Sequence, residues 1–289
     1  MALDPTSHIV KNETLEAVIG TLPLRGMSGI WYLRSTEDRN TLVSGNSAIL
    51  TGGGCRNGVD KSEKLDDRTV VLSREATERT NFLEHENRYE LVDPHYIDLT
   101  YTLTARKGFD PNRQIEEGWC CYTNNVDDVG IHFLENGRFS YFINPVHGQQ
   151  ALFFPSDQAE DNRFPLPETD PFKLFDGKRN FLYSDSGHTF DQPFYFGSVR
   201  GMMFQVMLDT YLGSRFYISP QGGGPSPVPG KHNPAWDLMW VPGPYKVDES
   251  KTLQVRLAIT KPHAGGTMAH TAIAEFEKFR QTYPTRDLP

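Results

Sequence analysis

The chain reads as all-β: a large antiparallel β-sandwich, supersandwich-like in size, with one C-terminal helix. Three observations predict this. Ile97, Leu99, Tyr101 and Leu103 alternate with Asp98, Thr100, Thr102 and Thr104, the period of two of a half-buried strand. Aromatic residues make up 12% of the 289 positions, and 25 Gly and 20 Pro suit many short strands joined by turns better than a helical bundle. Asn136-Gly137 stands between two alternating runs and is the strongest two-residue hairpin signal in the chain.

In order, the pattern predicts short strands over 14–19, 29–33, 42–44 and 48–50, with Gly20, Gly26, Gly29 and Gly45 as turn residues between them. Thr51-Gly-Gly-Gly-Cys55 lacks the Lys-Ser/Thr pair and the opening helix of a phosphate loop, so it reads as a flexible turn. A polar loop over 56–68 precedes a strand at 69–73, and 81–90 leads into the central strand. Pro94 cannot donate to a ladder, so regular pairing begins just after it. Parity counted back from Ile97 turns His95 toward the apolar face and Asp98 away from it. Gly118-Trp-Cys-Cys-Tyr-Thr123 is apolar on both faces and reads as an interior strand.

Strands follow at 130–134, 139–143 and 150–154. The Pro-, Asp- and Phe-rich stretch 155–180 is a long loop of the kind that forms lids, binding segments or disordered stretches. The second half resumes with 180–183, 193–197, 202–209, 215–219, 236–241 and 252–259. A helix is expected over 267–283, where Ile273, Phe276, Phe279 and Tyr283 recur at helical spacing and Pro284 ends the run. At least a dozen strands without a composition break give a single domain, 1–289, with the helix packed on its edge. So many strands must bury two faces, and packed sheets are the economical answer. The chain is well beyond the roughly 100 residues of a small Greek-key module.

A formal charge of −8 and the lack of a basic run exclude a phosphate-tracking, nucleic-acid partner. No run approaches the ~20 apolar residues of a membrane span. The N-terminal residues lack the basic and apolar regions of a secretory signal, so a soluble cytoplasmic protein is expected. Three Cys, at 55, 120 and 121, form neither a disulfide framework nor a Cys-x-x-Cys zinc pair.

Leu15-Glu-Ala-Val-Ile-Gly20, Leu24-Arg-Gly26, Gly29-Ile30 and Ile97-Asp-Leu-Thr-Tyr-Thr-Leu-Thr104, in this order, resemble the galactose-mutarotase-like supersandwich, the fold of aldose epimerases and several glycoside hydrolase and polysaccharide lyase domains. The resemblance implies a carbohydrate substrate. The Asn-His…Phe-Asn-Leu signature of mutarotases is absent, so the resemblance transfers no catalytic residue by motif.

The residues themselves offer candidates. His95, His147 and His188 sit in or beside predicted inner strands or Gly-flanked turns, and Asp185 lies three residues before His188. Imidazole with carboxylate can relay a proton near neutrality, so these four are the expected catalytic set; the three His could instead hold a divalent metal. No cofactor is required by any motif. His132, between Ile131 and Phe133, reads as a core residue. Trp119, Tyr195 and Trp236 offer faces on which a pyranose can stack, Asp237 can take its hydroxyls, and Arg200 would suit a uronate. The expectation is an enzyme using His/carboxylate acid–base chemistry on a sugar or oligosaccharide, by epimerisation, elimination or hydrolysis, with self-association left open. The alternatives are a non-catalytic glycan-binding sandwich and a structural domain.

Overall fold

A computed structural model describes residues 5–22, 27–36, 41–43, 47–56, 58–112, 115–124, 126–143, 149–157, 182–225 and 232–287. The first strands are β1 (His8–Lys11), β2 (Leu15–Leu22), β3 (Met27–Ser35), β4 (Thr41–Val43), β5 (Thr51–Gly52), β6 (Lys61–Lys64) and β7 (Thr69–Arg74). Next come β8 (Leu83–Val92), β9 (Tyr96–Ala105), β10 (Glu117–Cys120), β11 (Ile131–Glu135), β12 (Arg138–Phe142) and β13 (Gln149–Pro155). The second half holds β14 (Leu182–Phe190), β15 (Phe194–Val199), β16 (Met202–Leu208), β17 (Ser214–Pro225), β18 (His232–Trp240), β19 (Ser250–Thr260) and the helix α1 (Met268–Thr282).

These strands form three sheets: β1-β2-β3-β4, β14-β13-β17-β18-β10-β5, and a nine-stranded sheet β12-β11-β15-β16-β19-β9-β8-β7-β6. Pairing is antiparallel except between β13 and β14. The four-stranded sheet continues the six-stranded one through a bridge between Ile30 and Ile49. Together they make one layer over the nine-stranded sheet, which is the expected sandwich.

The predicted alternation of β9 holds: Ile97, Leu99, Tyr101 and Leu103 are fully buried in the core between the layers. Trp119, Trp236, Leu238 and Trp240 meet them from the six-stranded sheet, and Ala17, Ile19, Ile30 and Leu33 from the four-stranded one. The hairpin at Asn136-Gly137 also forms, with both residues at positive φ (51° and 70°) and β11 paired to β12 in register.

Several elements differ from the sequence reading. Residues 61–64, expected in a loop, form the edge strand β6 against β7. The polar segment around His188, expected as a turn, is the strand β14, parallel to β13. The turn expected in the Gly-rich stretch at 51–55 forms at Gly53-Gly54 and is tied to its neighbours. Gly53 and Gly54 take positive φ in a buried turn whose carbonyls accept from the Asn87 side chain and from Arg74, both held on neighbouring strands.

The helix runs close to its predicted span, with the Thr267 side chain capping its N-terminus by accepting from the His270 N–H. Its position is a correction. It does not pack on the sandwich edge but lies across the outer face of the nine-stranded sheet, where Ala272, Phe276 and Phe279 bury against Tyr96, Phe194, Phe196, Met203, Met207 and Ala258. Those strands are apolar on both faces, and the second face has to be covered. Ile273, expected on the buried stripe, is 42% exposed, and Ala272 takes its place.

Candidate functional site

The parity of the six-stranded sheet sorts its residues. On β18, Trp236, Leu238 and Trp240 face the core, so Ala235, Asp237 and Met239 face outward. On β17, Phe216 and Ile218 point in, while Tyr217 packs with Leu152, Phe154 and Met239 on the outer face. Arg215 lies on that face too, its guanidinium over the Phe154 ring at 5.2 Å from the centroid. From β10 and the residues after it, Cys120 and Tyr122 join Met27, Trp31 and Ala235 in a second outward patch. The sheet thus presents, away from the core, a surface that carries the Asp237 carboxyl, the Arg56 and Arg215 guanidiniums, the Cys120 thiol and the Tyr122 and Tyr217 phenols.

Asp237 is at its centre and is only 3% exposed. Its Oδ1 accepts from the backbone N–H of Cys121 at 2.7 Å. Burial pushes its carboxyl up from 3.8 to about 7, against the opposing pulls of the Cys121 N–H, the Arg56 charge and the Cys120 thiol. A carboxyl poised there is part protonated at neutral pH and can both give and take a proton. Burial and the Asp237 charge together push the Cys120 thiol up to about 12, which leaves it a poor nucleophile.

Arg56 donates from Nη2 to the Tyr122 hydroxyl at 2.5 Å and lies 5.7 Å from that ring's centroid. Burial lowers the tendency of Arg56 to hold its charge, but Cys120, Tyr122 and Asp237 outweigh it. Burial likewise holds the Tyr122 phenol protonated. Thr51, directly opposite Cys120 in the ladder, shares its face, and its buried Oγ1 has no hydrogen-bond partner.

Of the expected site residues, Asp237 is on this face, and the ladder through Leu152 and Tyr217 puts the position of Asp185 in the same row, three strands away. Trp119, Tyr195 and Trp236 are fully buried between the layers and have no face to offer a sugar. Each indole or phenol is spent inside: Trp119 donates to Asn87, Tyr195 to the Trp236 carbonyl, and Trp236 to the Val129 carbonyl. Trp236 and Asp237, expected together at a cleft, are adjacent on a strand and so point to opposite sides. Arg200 is exposed at the β15–β16 turn with φ +51°, in the other layer.

His95 and His188 do not converge. His95 precedes the strand, so parity does not reach it. Its ring leans on Tyr96 (centroids 4.4 Å apart) and its Nε2 is 3.5 Å from the Glu275 carboxylate under the helix, outside the core face expected for it. His188 pairs through Nδ1 with Glu135 (3.1 Å), boxed by Phe133, Phe142 and Phe153 at the end of the sandwich. Glu135, the partner of His188, is on β11, and three strands stand between β11 and β9, the strand that His95 precedes, so the two imidazoles sit roughly 19 Å apart by strand spacing. A shared catalytic or metal site for His95 and His188 is therefore ruled out. His147 lies outside the described residues, and Asp185 is placed only as the residue of β14 opposite Leu152. Among the described residues no group of three or more His, Cys, Asp or Glu could hold a metal ion. His132, read as a core residue, is half-buried on the outer face, stacked on Phe196.

Sequence reasoning passed over Arg56, Cys120 and Arg215. A charged residue between Ser214 and Phe216 in a predicted strand was the available signal for the last. Nothing local marks Arg56. It also missed a second buried polar group, His85, whose Nδ1 lies 2.9 Å from the Tyr101 hydroxyl and whose imidazole is pushed down to about 4 by burial and by the Arg74 charge.

No protein-family model matches the sequence, and no curated protein matches it. Solved structures do. A protein from Escherichia coli K12, provisionally described as an aldose 1-epimerase, superposes with a TM-score of 0.50 at 10% identity, over 88% of this chain and 99% of that one. A GalM/aldose epimerase homologue from C. elegans superposes with a TM-score of 0.51 at 10% identity, with the same coverage. Identity this low speaks for the fold: a galactose-mutarotase-like supersandwich.

Proposed function

We propose that this chain, folded as a galactose-mutarotase-like supersandwich, is a carbohydrate-active enzyme that moves protons on a sugar bound at the outer face of the six-stranded sheet, with Asp237 as the general acid and base. The observation that carries the reading is a buried carboxyl raised to about 7 on an outward face. Burial alone normally selects against a carboxylate, and a carboxyl near neutrality fits proton transfer better than packing. Arg56 stands close enough to steady negative charge as it develops, and the Tyr122 O–H, held neutral, can donate to a sugar hydroxyl.

Among epimerisation, elimination and hydrolysis, epimerase-type chemistry at the anomeric carbon is the best served. Opening a pyranose needs a proton delivered to the ring oxygen and one removed from the anomeric hydroxyl, and a group with a pKa near 7 can do either at neutral pH. Hydrolysis asks for two carboxyls about 5–10 Å apart. Among the described residues two other acids hold positions on this side: Glu116, just before β10, which the ladder puts opposite the residue after Trp240, four positions along from Asp237 or roughly 14 Å away, and Asp185, in line with Asp237 through Leu152 and Tyr217 but three strands off, again roughly 14 Å.

The test is anomer interconversion, followed by NMR exchange or polarimetry over a panel of aldoses, uronates and sugar phosphates. Asp237→Asn should lower the rate about 10²- to 10⁴-fold while sugar binding and the folded state persist. A variant that keeps its rate removes Asp237 from the chemistry. A wild-type protein that binds sugars without interconverting them is a glycan-binding sandwich instead.

A further inference from the structure

Arg215 is a buried cation. It is 6% exposed, and no carboxylate lies within ion-pair distance of it among the described residues. Its Nη1 donates to the carbonyls of Leu212 (2.8 Å) and Ser214 (2.6 Å), which fixes the plane of the group. Its Nε is fully buried with no acceptor. Burial, only partly countered by the Glu116 charge, pulls its affinity for a proton down to about 10. The other buried guanidinium among the described residues, Arg256, makes a two-pronged pair with Asp98, and the half-buried Arg56 sits beside Asp237 and Tyr122. An Arg kept desolvated, backed by an aromatic ring and left short of an acceptor is built to receive an anion from outside.

Its place on the sheet says which anion. Tyr217 is directly opposite Asp237 in the β17–β18 ladder, and Arg215 is two residues further along the same face, opposite Met239. Strand geometry puts the Arg215 and Asp237 backbones roughly 8 Å apart. A single sugar ring can therefore meet the Asp237 carboxyl at its anomeric end while a charged substituent on the far side of the ring reaches the guanidinium. We infer that the substrate is an anionic sugar, bearing a carboxylate or a phosphate, and that Arg215 is its specificity-determining residue. The inference rests on the acid–base reading of Asp237 for the sugar's location, not for the binding of the anion. It moves the role of anion receptor, expected of Arg200, to a residue in the other layer.

Titration calorimetry of the full chain with D-glucuronate, D-galacturonate and D-glucose 6-phosphate, each against its neutral parent D-glucose or D-galactose, tests this. A hydrogen bond to a charged group makes the expected preference for at least one anionic sugar about 10- to 100-fold in Kd, weakening with added salt. The uronate and phosphate arms separate the two sources of charge. Arg215→Gln should bring the anionic and neutral sugars within about twofold of each other, and Arg215→Lys should keep an intermediate preference. Should the Gln variant not fold, the wild-type preference and the Lys variant still decide. Equal affinity for neutral and anionic sugars in the wild type, or an undiminished preference in a folded Arg215→Gln variant, overturns the assignment. The acid–base reading fails separately: Asp237→Asn would then turn over sugar at the wild-type rate, whatever the charge preference.

Discussion

Asp237→Asn also makes a quantitative prediction about stability. In the folded chain the carboxyl titrates near 7 and in the unfolded chain near 3.8. Between those values the folded state holds a proton that the unfolded state has released, so wild-type stability falls as pH rises from about 4 to about 7 and levels off above. Slightly more than three pKa units correspond to about 4 kcal/mol. Asparagine removes the titration but adds an NH2 group that needs an acceptor, at a cost of about 1–3 kcal/mol. The variant should therefore be as stable as the wild type or less so at pH 4, and more stable by about 1–3 kcal/mol at pH 8. The change in the difference between the two proteins is about 4 kcal/mol and does not depend on the NH2 cost. Urea unfolding of both proteins at pH 4, 6 and 8, followed by Trp fluorescence, measures it, because all other titrating groups cancel between them. A difference that stays constant across that range refutes the raised pKa and with it the basis for choosing Asp237.

Glu275, whose side chain is fully buried under the helix, accepts from Tyr96 (2.5 Å) and Lys278 (2.8 Å) and faces His263 (3.3 Å) and His95 (3.5 Å). Burial alone would raise its pKa, but His95, Lys278 and Tyr96 hold it well below the usual range, so its contribution is present above the unfolded value of about 4.5 and is lost as pH falls below that; Glu275→Gln should cost about 3 kcal/mol at pH 7 in urea unfolding. Asp98→Asn, which strands the Arg256 guanidinium otherwise paired at 2.6 and 2.7 Å, should cost about 3–5 kcal/mol, whereas Asp98→Leu with Arg256→Met should recover most of that in the same assay. Gly54→Ala would put a methyl 2.2 Å from Nδ1 of His85 at a φ of +69°, and should lower stability by about 1–3 kcal/mol with a matching fall in thermal midpoint.

The architecture was legible because sheets announce themselves locally. The alternation at Ile97–Leu103, the Asn136-Gly137 turn and the Phe276/Phe279 spacing are each set by neighbours within a few residues, and each element formed where that pattern put it. The burial of a second face was less legible, since Phe194, Phe196, Met203 and Met207 look the same in sequence whether a helix or another sheet covers them.

The site lay beyond that range. Sequence singled out Asp237 but grouped it with Trp236, and a period of two sends such neighbours to opposite sides of a sheet. It grouped histidines by type, although His188 is on β14 of the six-stranded sheet and His95 lies just before β9 of the nine-stranded one. Residue types, strand positions and the apolar period follow from the chain itself. Which polar side chains lose water together, and so which carboxyl rises toward 7 and which guanidinium has no ion pair among the described residues, was decided only by the pairing of β10, β17 and β18, because desolvation and charge act through space between residues far apart in the chain.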